Sequence, residues 1–159
     1  MKKAAQKGFT IVELLVVIVV IGILAAITMV SYSGVTTKAN STAAQSNAAS
    51  VRSVIETYYA DNGTNAGNGT WPTTAASVNT YSATSTALAK LPGGITLSGG
   101  TEALTTANGT TTITYMGTST GGCIAYFNFG TSTLNFYYVG AATTATESAT
   151  TAGTIDTCS

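Results

Sequence analysis

The side chains able to do chemistry in this chain are few, and their scarcity narrows what it does. There is no histidine, and the two cysteines, Cys123 and Cys158, lie far apart rather than in a C-x-x-C pair. Zinc ligation by Cys and His is therefore close to excluded, as are Ser-His-Asp and Cys-His catalysis. The six carboxylates, Glu13, Glu56, Asp61, Glu102, Glu147 and Asp156, are scattered along the chain, which leaves little general acid or base capacity. No enzyme, no cofactor and no metal site is expected. Two features remain. One is a disulfide between Cys123 and Cys158 in an oxidising compartment, weighed against two unpaired thiols in a cytosolic protein. The other is a carboxylate in an unexpected place.

That carboxylate is Glu13 in "KGFTIVELL", residues 7 to 15, and it stands directly before the longest apolar run in the chain. From Leu14 to Val30, "LLVVIVVIGILAAITMV" holds seventeen residues without a charge. That is the lower edge of what spans a bilayer as a helix, and a comfortable span includes Glu13. Lys2, Lys3 and Lys7 precede it, so by the positive-inside bias the first residues stay cytoplasmic and the rest faces outward. A secretory signal peptide cleaved near "SYSG", Ser31 to Gly34, is one alternative, and a plain membrane anchor is another. Neither gives Glu13 a reason, and a charge inside a bilayer costs on the order of 2.5 to 3.5 kcal/mol at the helix centre. A cut between Gly8 and Phe9 would supply a partner. It creates an α-amino group on Phe9, four residues from Glu13, and a paired buried charge is tolerated where a lone one is not.

The remaining charge is sparse. Six basic and six acidic residues balance formally, but without the first eight residues three bases face six acids, a net of −3. There is no basic stripe, so direct nucleic-acid binding is not expected. The wealth of Thr, Ser, Ala and Gly fits an exported, small-residue surface. Asn40, Asn62, Asn68 and Asn108 each begin an N-x-S/T triplet, which a Thr-rich chain produces by chance.

The elements that must position these residues follow from periodicity. Ala44, Ala48, Val51, Ile55 and Tyr58 recur at spacings of four and three, one apolar stripe of a helix that runs from about Thr10 to Ala60 and stops at "DNG", Asp61 to Gly63. A Gly/Asn/Thr-rich loop follows, and "TSTALAKLPGG", Thr84 to Gly94, reads as a short helix ended by Pro92. Strands come after it. Asn108-Gly109 between Thr-rich segments is a hairpin signal, and "CIAYFNFG" and "TLNFYYVG" flank a turn near Gly130. Three or four antiparallel strands with one face for the long helix make an α+β fold. A Cys123–Cys158 link would tie the polar tail back onto this sheet.

"KGFTIVELLVVIVVIGILAAI", Lys7 to Ile27, resembles the class III signal and N-terminal helix of type IV pilins: a basic leader ending in Gly8, Phe9 first after it, Glu13 fifth, then the apolar run. The resemblance implies leader removal after Gly8 and N-methylation of Phe9 by a prepilin peptidase. It also implies insertion in the membrane before assembly, and then polymerisation by the inner-membrane pilus machinery into a helical homopolymer on the cell surface. Glu13 would contact the Phe9 amine of a neighbouring subunit. The implied organisation is a leader over 1–8, a long helix over 9–62 with 9–30 as membrane span and filament core, a loop region with a short helix over 63–94, and an antiparallel sheet with a disulfide-bounded C-terminal region over 95–159. Val30 stands where many type IV pilins have proline, so any bend or melting in a filament is expected at Gly22 or near Gly34. The filament would serve adhesion, twitching motility or DNA uptake. A pseudopilin of a secretion or competence apparatus and a surface binding domain that never polymerises are the alternatives.

Overall fold

The computed structural model of the chain describes residues 8–62, 69–84, 87 and 89–159, with the side chains of Val30 and Ser31 left aside. Lys2, Lys3, Lys7, Gly63 and Asn68, which figure in the sequence reading, lie outside the described residues. Helix α1 covers Ile11–Asp61 and passes through Gly22 and Gly34. Two compact units share the chain, Met1–Thr36 and Thr37–Ser159.

In the first unit, α1 carries a run of β-branched residues that are mediocre helix formers in water. In an apolar medium this matters less, because a helix is the way one segment can satisfy all of its own backbone groups. The large apolar side chains from Phe9 to Ile27 are 48–84% exposed. Among the described residues, none covers them.

In the second unit, α1 buries the expected stripe. Ala44, Ala48, Val51 and Ile55 are wholly buried and Tyr58 half-buried, with Val54 added to the set. Polar bonds flank the buried stripe. Asn47 Nδ2 donates to the Thr110 carbonyl at 2.7 Å, and Phe129 N donates to Ser41 Oγ at 3.1 Å. The helix ends where Asn62 turns back, its backbone N–H donating to the Tyr58 carbonyl at 2.9 Å and its Nδ2 at 3.0 Å.

The short helix α2 is Ala75–Ala83, upstream of the stretch expected to form it. Thr74 caps it, its side chain accepting from Ser77 N at 3.2 Å, and Val78 anchors it in the core. The described residues between Thr84 and Gly94 form no helix. Thr74 supplies the hydroxyl N-cap, and α2 ends at its C-cap Thr84, where the expected helix was to begin.

The main sheet has the order β1-β2-β3-β4, with β1 Thr96–Gly99, β2 Thr112–Gly117, β3 Gly121–Asn128 and β4 Thr133–Gly140. The β2–β3 and β3–β4 pairs are antiparallel, but β1 runs parallel to β2, with Leu97 opposite Ile113. Asn108-Gly109 is accordingly not a hairpin turn. Asn108 Oδ1 accepts from Thr105 N at 2.7 Å, Gly109 N donates to the Thr105 carbonyl at 2.8 Å, and the segment is a compact turn inside a crossover. The β3–β4 turn near Gly130 forms as the residues suggest. Ser132 takes the positive φ of 56°, and Asn128 Oδ1 accepts from Gly130 N at 2.9 Å.

Both faces of this sheet are covered, where one was expected. Ile113, Tyr115, Ile124, Tyr126 and Val139 share a core with α1 and α2. Ala125, Phe127 and Leu134 face the opposite way and pack with Leu104 and Ile155. Strand β3 is buried along nearly its whole length for this reason. Tyr115 also ties the loop before α2 to the sheet, its phenol donating to the Pro72 carbonyl at 2.6 Å. Burial pushes the Tyr115 phenol well above the usual tyrosine range, with Tyr58 adding to the effect.

The second cover is the C-terminal ribbon, β5 Ala145–Glu147 paired antiparallel with β6 Ile155–Cys158. The Cys123–Cys158 disulfide closes a sequence separation of 35 residues. Glu147 makes a second tie: Leu134 N donates to Oε2 at 3.1 Å and Gly153 N to Oε1 at 2.7 Å. Gly153 has φ +81°, and a Cβ there would fall 2.2 Å from the Leu104 carbonyl oxygen. No larger residue fits that crossing.

Candidate assembly surface and its polar cap

The expected assembly residues lie at the start of α1. Phe9 is 81% exposed and precedes the helix, which begins at Ile11. Thr10 is the residue before the first turn and Glu13 lies within it. Thr10 N donates to Glu13 Oε2 at 2.9 Å, Thr10 Oγ1 donates to the same oxygen at 2.7 Å, and Glu13 N donates to Thr10 Oγ1 at 3.2 Å. This is a capping box, in which a hydroxyl and a carboxylate three residues apart each satisfy the other's backbone N–H. Its sequence signal is the T-x-x-E spacing of Thr10 and Glu13.

The cap gives Glu13 a first role within its own chain. In the chain with Phe9 joined to Gly8, the structure brings Glu13 to Thr10, and Phe9 precedes the helix. A carboxylate in the first helical turn also complements the partial positive charge of the helix N-terminus. Both bonds from Thr10 end on Oε2, and Oε1 takes neither of them. The arrangement can therefore hold the side chain in place and still present a carboxylate oxygen at the tip of an apolar helix.

Below this cap lies the apolar surface itself. Among the described residues one helix is long and apolar enough to cross a membrane, and its most apolar window has a mean hydropathy of 3.0 and is not buried anywhere in the chain. Gly22 and Gly34 are open on the helix surface, since a Cβ at either position would meet nothing within 4 Å. Cys123 and Cys158 are joined, far along the chain from Glu13. Among the described residues no group of three or more His, Cys, Asp or Glu side chains is arranged to hold a metal ion.

The chain matches the family described as the prokaryotic N-terminal methylation motif over residues 3–29. It is 38% identical over 72 residues to a fimbrial protein, EcpC, of Eikenella corrodens, covering 45% of this chain and 43% of that one. A fimbrial protein of Neisseria meningitidis serogroup B is 40% identical over 65 residues, 41% of this chain and 38% of its own length. The type IV major fimbrial protein FimA of Dichelobacter nodosus is 39% identical over 59 residues, 37% and 38% of the two chains. The chain thus spans about two fifths of the length of the curated relatives it matches. No solved structure matches it. The long N-terminal helix and small antiparallel-rich sheet described above form an α+β arrangement consistent with the type IV pilin fold.

Proposed function

We propose that this chain is a structural, non-enzymatic subunit of a type IV pilus. It is held in the membrane as a precursor, cut by a prepilin peptidase between Gly8 and Phe9, N-methylated on Phe9, and polymerised through α1 by inner-membrane machinery into a surface filament. The observation that carries this reading is the apolar half of α1, whose large side chains are 48–84% exposed in a chain whose second unit is otherwise well packed. Lipid covers that surface first and neighbouring copies of the same helix cover it later.

The physics of that exchange assigns a role to Glu13. Lipid tails are as apolar as leucine, so moving the helix from lipid to protein gains little from the hydrophobic effect and must rely on packing and polar contacts. The methylated Phe9 amine of an incoming subunit, released by the cut, meets the Glu13 carboxylate of its neighbour and sets the axial register. Removal of one partner would leave the other charge buried alone, which is strongly destabilising. A pseudopilin reading is less favoured. Calcium needs six to eight oxygen ligands, and Glu147, one of the two acids in the tail, is already committed to two backbone N–H groups.

The test is the intact mass and N-terminal sequence of protein sheared from cells, for the unaltered chain and for Glu13→Ala. The expected result is a chain beginning at N-methylated Phe9, with the variant processed but absent from the sheared fraction. A chain beginning near Ser33 or Gly34 would instead make it a secreted domain, and one retaining Met1 an ordinary membrane anchor.

A further inference from the structure

A shallow, open cavity of about 630 Å³ lies on the second unit between the end of α1 and α2. Two aromatic residues are in its lining, Tyr58 and Tyr81, whose rings stand edge to face with centroids 5.2 Å apart. Most of the other lining residues are polar: Asp61, Asn62, Ser77, Thr80 and Thr84. Asn62 Nδ2 donates to the Tyr58 carbonyl at 3.0 Å, and Ser77 Oγ shares a hydrogen with Thr74 Oγ1 at 2.9 Å, so both groups are held beside the rings. None of these features is used by the assembly surface, and no core residue needs Asp61 or Thr80, which are exposed.

We propose that this cavity binds a neutral saccharide. A pyranose ring has an apolar face, formed by its axial C–H groups, and a rim of hydroxyls that both donate and accept. Tyrosine rings suit the first, and a carboxylate, an amide and hydroxyls set around them suit the second. Asp61 accepts two adjacent sugar hydroxyls, which are charge-assisted bonds and the strongest the site can make. The lining contains no Lys or Arg. Arg52, one turn earlier on α1, is paired with Glu56 at 2.8 Å. Acidic sugars therefore meet the Asp61 charge with no compensating cation. An organic cation would prefer rings that enclose it, whereas here the hydrogen-bonding side chains outnumber the rings.

The test is saturation-transfer NMR on the full chain in a detergent without a sugar headgroup, with lactose, maltose and cellobiose as neutral probes and sialyllactose as the acidic contrast. The expected result is transfer to at least one neutral disaccharide, strongest at the ring protons of its apolar face, with a dissociation constant on the order of 1 mM. Asp61→Ala and Thr80→Arg should each weaken it by about tenfold or more, with unchanged circular dichroism because both positions are exposed. No transfer to any of the three neutral sugars, equal transfer to sialyllactose, or transfer that survives both substitutions would overturn the proposal.

Discussion

Glu147 holds two parts of the head together through one side chain, and replacing it with alanine should show how much that is worth. The carboxylate accepts from Leu134 N on β4 at 3.1 Å and from Gly153 N in the β5–β6 turn at 2.7 Å. Hydrogen bonds to a charged group net roughly 1.5 to 3 kcal/mol each. Leu134 is buried, so its N–H finds little water when the carboxylate goes. Gly153 N is also shielded by the crossing with Leu104, but Glu147 itself is half-buried, which lets water recover part of the loss. Glu147→Ala should therefore cost about 2 to 4 kcal/mol. Glu147→Gln keeps one acceptor oxygen and turns an NH2 group on the other donor, so about half of that cost should remain. Urea unfolding of the full chain in detergent, followed by Trp71 fluorescence, gives the magnitude, and amide exchange at Leu134 and Gly153 gives its location. Asp156→Ala is the control, since Asp156 is exposed. If Glu147→Ala unfolds at the same urea concentration as that control, or if exchange at the two amides is unchanged, the tie is not a stabilising one.

Two more outcomes follow from the second unit. Replacing Cys123 and Cys158 together by alanine removes a link closing a 35-residue separation, and the chain-entropy relation puts the loss at about 4 kcal/mol. The same urea assay checks it, and an unchanged midpoint would refute the chain-entropy account of this link. Tyr115 predicts a dependence at alkaline pH. Its folded phenol holds its proton to higher pH than the unfolded chain, where tyrosine titrates near about 10. Stability is therefore undiminished below that pH and falls as pH rises above it. Tyr126 is shifted the same way, chiefly by burial, so Tyr115→Phe should flatten part of the decline without removing it, as thermal unfolding across pH 9 to about 11 would show.

Much of this was legible in the sequence, and the legible parts share a property. The apolar run from Leu14 to Val30, the Ala44-to-Tyr58 stripe and the turn near Gly130 all depend on residues adjacent in sequence or one helical turn apart. The α+β order follows from those elements in turn. The capping box of Thr10 and Glu13 is equally local, a hydroxyl and a carboxylate three residues apart. The disulfide was an expectation weighed against two unpaired thiols, and the structure joins Cys123 to Cys158.

The sequence by itself determined that half of α1 is apolar on every side and that the other half has a single face to bury. It could not determine what fills the space beside that face, because that depends on contacts between residues far apart in the chain. Whether Asn108-Gly109 closes a hairpin or caps a turn in a crossover depends on where β1 settles, and β1 is positioned by β2 and by Asn79 of α2, whose Nδ2 donates to the Leu97 carbonyl at 2.9 Å. Likewise the apolar residues of "CIAYFNFG" and "TLNFYYVG" predict one covered face, and the second becomes visible only when Leu104 and Ile155 are seen packed on Phe127 and Leu134. Tertiary structure supplied the cover: Leu104 from the β1–β2 crossover and Ile155 from the C-terminal ribbon meet on that face, where Glu147, Gly153 and the disulfide hold the tail to the sheet.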